Sequence, residues 1–123
     1  DYTDLQTIGN GGQATIATIP VGGAVECVGV YESEAFAGTT SLVIDIGTTS
    51  GDPDEFIDAL DVDAMSAPVF NTGDAFTGGQ SQPVGGTSSA TSVLLEVTDA
   101  AIASATAGKI VIGLRIVDLG QFA

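Results

Sequence analysis

Hydrophobic and polar positions along this chain alternate in short runs, and glycine, proline and small polar residues separate the runs. Residues Gln13–Ile19 alternate weakly and stop at Pro20, which cannot donate to a strand ladder and so predicts a strand end or edge. Val21-Gly22-Gly23 predicts a tight turn, and Ala24–Glu32 the next strand. In that strand Cys27, Gly29 and Tyr31 share one face and Val28 and Val30 the other, so both faces are partly apolar, as in a sandwich or at a subunit contact. Ser41–Gly47 has the clearest period of two in the first half, with Leu42, Ile44 and Ile46 on one side and Asp45 on the other. Ser92–Thr98 predicts a strand with Val93, Leu95 and Val97 inward. Lys109–Asp118 places Ile110, Ile112, Leu114 and Ile116 on one face and Val111, Arg115 and Val117 on the other.

Two segments read less regularly. Glu55–Leu60 suits either a short strand or a helical turn, for which Asp52 or Asp54 would be the cap. Residues 67–91 contain Gly78-Gly79, Pro83 and Gly85-Gly86, with Val69, Phe70, Phe76 and Val84 as their only packing candidates, and predict a long functional or partner-binding loop. The alanine-rich Asp99–Ala105 allows one helical turn. Together these signals predict about seven or eight strands without βαβ alternation. The expected architecture is an all-β, antiparallel sandwich, jelly-roll-like, in a single domain over residues 13–123, preceded by an N-terminal arm at 1–12.

Composition narrows the function. The chain has 123 residues, enough for one core. No run approaches the roughly 18 apolar residues of a membrane span. The opening Asp1-Tyr2-Thr3-Asp4 lacks the basic and apolar regions of a signal peptide, and it lacks an initiator Met. Sixteen acidic residues face only Lys109 and Arg115, a formal net charge of -14. Phosphate backbones need Lys and Arg to displace their counterions, so nucleic acid is not an expected partner, nor is an anionic membrane. The acidity predicts a solvated, self-repelling surface; a cation-binding or salt-adapted surface, as in brine where the Debye length is a few ångströms, is the sharper alternative.

Candidate chemistry is sparse. Cys27 is the sole cysteine, which excludes an internal disulfide, and its apolar setting predicts a buried small hydrophobe. The chain has no histidine, the usual base for activating Ser or Cys, so no enzyme activity, catalytic residue or cofactor is expected. The acidic run Asp52–Asp63 contains clustered carboxylates of the kind that ligate calcium, but no register places Gly at position six and Glu at twelve of an EF-hand loop. A solvated acidic loop is the expectation, and no metal ligands are assigned. A glycosidase pair would want aromatic platforms in its groove, and the chain has no Trp and two Tyr. Gly9-Asn10-Gly11-Gly12 and Gly78-Gly79 do not open a helix with a following Lys, so they predict turns and not phosphate loops.

Four segments in series carry a family resemblance. They are Ile16–Val30 with its Pro20-Val21-Gly22 turn, Glu34–Gly47, Gly51–Ile57, and Thr106–Asp118. This series, over about residues 13 to 118, resembles small virion proteins of tailed phages, especially head decoration (cement) proteins. The resemblance implies a β-sandwich on the outer capsid surface of the virion, commonly a homotrimer, that clamps neighbouring copies of the major capsid protein. Residues 1–12 and 67–91 are then the candidate contact elements. Related sandwiches serve as head-fibre or tail modules that bind host glycans, which is one alternative. A calcium-dependent adhesion or surface-layer fragment, also acidic and β-rich, is the other.

Overall fold

A computed structural model describes residues 1–79, 84–85 and 89–119, with side chains outside 77–79 and 84–85. The chain is an all-β sandwich of two antiparallel sheets. In the first sheet the order is β1 (Gly12–Ile19), β7 (Thr91–Thr98), β3 (Val43–Gly47), β4 (Ile57–Asp61). The second sheet is built on the long β2 (Gly23–Ala37), which pairs with β8 (Ala107–Asp118) from Gly23↔Asp118 to Ala37↔Ala107. On its other side β2 receives two short strands, β5 (Val69–Phe70) against Gly29–Val30 and β6 (Val84–Gly85) against Ala24–Val25. Among the described residues no helix is long and apolar enough to cross a membrane.

The period-two faces read from the sequence point into the core. Leu42, Ile44, Ile46, Val93 and Val97 are fully buried, and Leu95 nearly so. Val25, Val28 and Val30 meet them from β2. Each fully buried side chain of this size contributes about 1.5–3 kcal/mol of hydrophobic stabilisation. The same principle holds the ends: one 3-10 turn at Ile102–Ser104, within the alanine-rich segment, sinks Ile102 into the cluster.

The first twelve residues are not a free arm. Tyr2–Ile8 form a helix, α1, whose N-cap Asp1 accepts hydrogen bonds from the Thr3 and Asp4 amides and whose Leu5 is buried in the core. Gln6 Nε2 donates to the carbonyls of Ala103 and Ala105 at 3.1 and 2.9 Å, which fastens the helix to the turn before β8. A seven-residue helix is too short to form alone, so docking decides its structure.

Glu55–Leu60 resolves as a bend at residues 55–56 leading into a strand, and not as a helical turn. Phe56 is fully buried and β4 follows, paired to β3 with a bulge: Ile44 faces Leu60 while Ile46 faces Ile57. The bulge puts Ala59 at φ 46°, and Asp45 Oδ1 accepts the Ala59 amide at 2.6 Å. Neither Asp52 nor Asp54 caps a helix there. Partial burial, reinforced by the nearby charges of Glu96, Asp58 and Asp52, holds the Asp45 carboxyl above its ordinary value of 3.8, against the Ala59 hydrogen bond that lowers it. A carboxyl raised on folding favours the folded state while protonated, and that contribution is lost as pH rises through its folded pKa. Asp45→Asn keeps an oxygen for Ala59 and removes the charge. Its melting temperature is expected to exceed the parent's at neutral pH, with the gap closing below pH 3.8; thermal melts across that range check it.

Residues 69–76 are tied down. Asn71 Oδ1 accepts the Val28 amide at 2.8 Å, and the Asn71 amide donates to the Val28 carbonyl at 3.0 Å, continuing the β5 pairing by one residue. Gly73, Asp74 and Ala75 donate to the carbonyls of Phe56, Asp54 and Glu55, and Phe76 packs on Phe56 with ring centroids 6.2 Å apart. Of the packing candidates in this stretch, the Val84 side chain lies outside the described residues, Val69 is half-buried and Phe70 is exposed.

Candidate functional site

Two places combine unusual chemistry. The first is the outer face of the β2–β8 sheet. A bulge at Glu26 shifts the register between Val25 and Cys27 and resets the alternation. Val25, Val28 and Val30 consequently face inward, while Cys27, Gly29 and Tyr31 face outward opposite Arg115, Gly113 and Val111. The sequence placed these outward residues on one face correctly, but Cys27 is half-buried in an open groove and not in the core as expected.

Phe70 arrives from β5 and lies across Gly29; a Cβ there would sit 2.6 Å from the ring's Cε1, so glycine is required for the close approach. Tyr31, Phe70 and Val111 are each about half exposed, at 50%, 59% and 49%. With the glycine floor and Arg115 they border a groove of about 440 Å³. Large exposed apolar side chains gathered on one face mark interaction surfaces. A flat floor with aromatic walls and one guanidinium suits docking. The sequence pattern could not reveal Phe70's part in it, because β5 is two residues long and reaches this face only through long-range pairing.

The second place is the acidic run Asp52–Asp63, which the fold divides among different tasks. Asp63 accepts the Leu42 amide at 2.8 Å and the Thr39 hydroxyl at 3.0 Å, securing the crossover between β2 and β3. Glu55 accepts the Thr48 amide at 2.8 Å and the hydroxyls of Thr48 and Thr49. Partial burial works to raise the Glu55 pKa, but these bonds, from Thr49 foremost, together outweigh it and hold the carboxyl below its ordinary value. Asp54 and Asp58, by contrast, meet Asp74 from the following loop, with one oxygen of each within 4.8 Å of the others. Loss of hydration and repulsion from Asp52, Asp74 and Asp58 raise the Asp54 carboxyl. Three such oxygens fall short of the roughly six to eight that calcium takes, the rest of which would come from carbonyls and water. Asp74 was invisible in the sequence run because the hydrogen bonds from 73–75 to 54–56 bring it there.

Comparison of the chain with protein-family models, with curated proteins and with solved structures finds no match.

Proposed function

We propose that this chain is a non-catalytic structural protein of a virion, a decoration protein that binds the outside of a major capsid protein lattice and stabilises it. The observation that supports this reading most directly is the half-exposed strip of Tyr31, Phe70 and Val111 on a stiff, glycine-floored sheet. A clamp needs a rigid body with an apolar contact face, and it needs no reacting centre. The strongly acidic remainder keeps unbound copies apart in solution. The series resemblance to tailed-phage cement proteins supplies the lattice as the partner and the homotrimer as the assembled form.

The deciding measurement is the mass stoichiometry of the chain in purified particles, expected at hundreds of copies per particle; a dozen or fewer would move it to a fibre or tail. Phe70→Ala is expected to weaken particle binding by about tenfold or more, the cost of truncating an aromatic anchor. Its melting temperature should barely move, because the ring is 59% exposed.

A calcium-dependent adhesion role is favoured by one observation, the convergence of Asp54, Asp58 and Asp74. It expects a higher melting temperature in millimolar calcium than in chelator. Equal melting temperatures would remove that reading.

A further inference from the structure

β8 ends its sheet: among the described residues it pairs with β2 alone, so from Lys109 to Val117 the hydrogen-bonding groups along its other side have no strand partner there. The other sheet edges are guarded in recognised ways. β4 has five residues and exposes Asp58 and Asp61. β5 and β6 have two residues each, and β1 is bulged at Ile16. β8 runs for twelve residues, and every register shift in its pairing places the extra residue on β2.

Its inner face is also incomplete. Ile110, Ile112, Leu114 and Ile116 are only half-buried, whereas Val25, Val28 and Val30 on the neighbouring strand are 0–1% exposed. Ile110 and Ile112, with Leu5, Ile8, Ile16 and Leu95, border an open groove of about 400 Å³ between β8, β1 and α1. The sandwich is open along this side.

Charge then selects what fits. Lys109 and Arg115 are the only basic residues of the chain, and both are exposed on the outer side of β8. They stand six positions apart, about 20 Å along a strand. Within β8 no acidic residue lies between Ala107 and Val117, while Glu34 of β2 stands opposite Lys109 and Asp1 and Asp4 border the groove. A second copy does not complement this edge. Its β8 would set like charges against like, and its β1, Gly12–Ile19, carries no carboxylate.

We infer that β8 accepts an extended segment of a different protein as an added strand, with alternate apolar residues over the groove and carboxylates across from Lys109 and Arg115. Main-chain hydrogen bonds supply the affinity of such an addition and the alternating side chains its specificity. The net charge of -14 opposes an acidic segment at long range. At 0.15 M salt, however, exposed charges beyond about 8 Å are largely screened, and the local contacts set the preference, Arg115 opposite Cys27 contributing more than Lys109, which Glu34 already faces. Nothing in this pairing requires the partner to be a capsid protein.

The test uses the full chain and two capped peptides of about ten residues, alternating Val and Thr, with two outward Thr six positions apart replaced by Glu in one and Lys in the other. At 0.15 M salt the Glu peptide is expected to bind on the order of tenfold tighter than the Lys peptide. β8 amides should gain hydrogen-exchange protection on binding. N-methylation along one edge of the Glu peptide should abolish it, and Lys109→Glu with Arg115→Glu should reverse the preference. Equal affinities, binding without protection of β8, no binding by either peptide at millimolar concentration, or self-association through β8 would each overturn the inference. These readouts need no virion, so they succeed or fail separately from the capsid assignment.

Discussion

Phe56→Ala is expected to destabilise the chain by about 3–5 kcal/mol, the range for truncating a buried aromatic residue. Phe56 is fully buried, and its ring meets Phe76 at a 46° tilt. Its backbone is fixed from two sides: the amide donates to the Ile46 carbonyl at 2.9 Å, and the carbonyl accepts from Gly73 at 2.9 Å. The surroundings therefore have little freedom to collapse into the space left by the ring. Against a typical total of about 5–15 kcal/mol, that loss removes a large share of the stability. The melting temperature should drop on the order of 10–20 °C. Denaturant titration should show a lower midpoint at unchanged slope, since the same surface is exposed on unfolding. Phe76 loses its ring partner in the same variant, so hydrogen exchange in 73–76 should accelerate ahead of the rest. Phe70→Ala is the internal contrast, because truncating a ring that is 59% exposed should cost little stability.

The difference between these two phenylalanines also marks how far the sequence could be read. Period-two faces survive into the structure wherever one face is buried. Leu42, Ile44 and Ile46 all reach the core, as do Val93, Leu95 and Val97. The sandwich follows from those strands. What local pattern could not carry was anything set by distant pairing. The sequence shows Phe56 three residues after Pro53 and Phe70 in a glycine-rich stretch, with nothing to say that one is core and the other lies on Gly29. Strand β2 runs on to Ala37, past the expected end at Glu32, because bulges absorb the residues that break its alternation. α1 leaves no periodic signal in the sequence for a related reason. Leu5 is its only fully buried residue, too little for a helical period to show. The candidate sites divide in the same way. The outward face of Cys27, Gly29 and Tyr31 was legible, and so was that of Val111 and Arg115. Their pairing with each other, the arrival of Phe70, and the meeting of Asp74 with Asp54 and Asp58 depend on topology.

Gly38→Ala is expected to cost about 3 kcal/mol, combining the left-handed backbone penalty with an overpacked contact. Gly38 sits at φ 84° immediately after β2, and a Cβ there would lie 2.2 Å from the Ser104 carbonyl oxygen and 3.1 Å from Ala105 Cα. Both obstacles are backbone, so no side-chain rotation relieves them. Nor can the opposing segment easily retreat. Ile102 and Ala105 are buried, the Thr106 amide donates to the Ala37 carbonyl at 2.9 Å, and Gln6 of α1 holds the carbonyls of Ala103 and Ala105. Accommodating the methyl group means opening the last rung between β2 and β8 or releasing the helix. Gly51→Ala separates the two contributions, because Gly51 has a similar φ of 94° with nothing within 4 Å of its added Cβ. Gly51→Ala should therefore lose only about 1–2 kcal/mol, the backbone penalty alone. Equal losses in the two variants would mean that the 37–38 and 104–106 segments give way freely. The start of β8, from which Lys109 projects, would then be less firmly anchored than its contacts imply. A larger loss at Gly38, with faster exchange at Thr106 and in α1, is the expected result. It would show that helix, turn and the first residues of β8 stand or fall together.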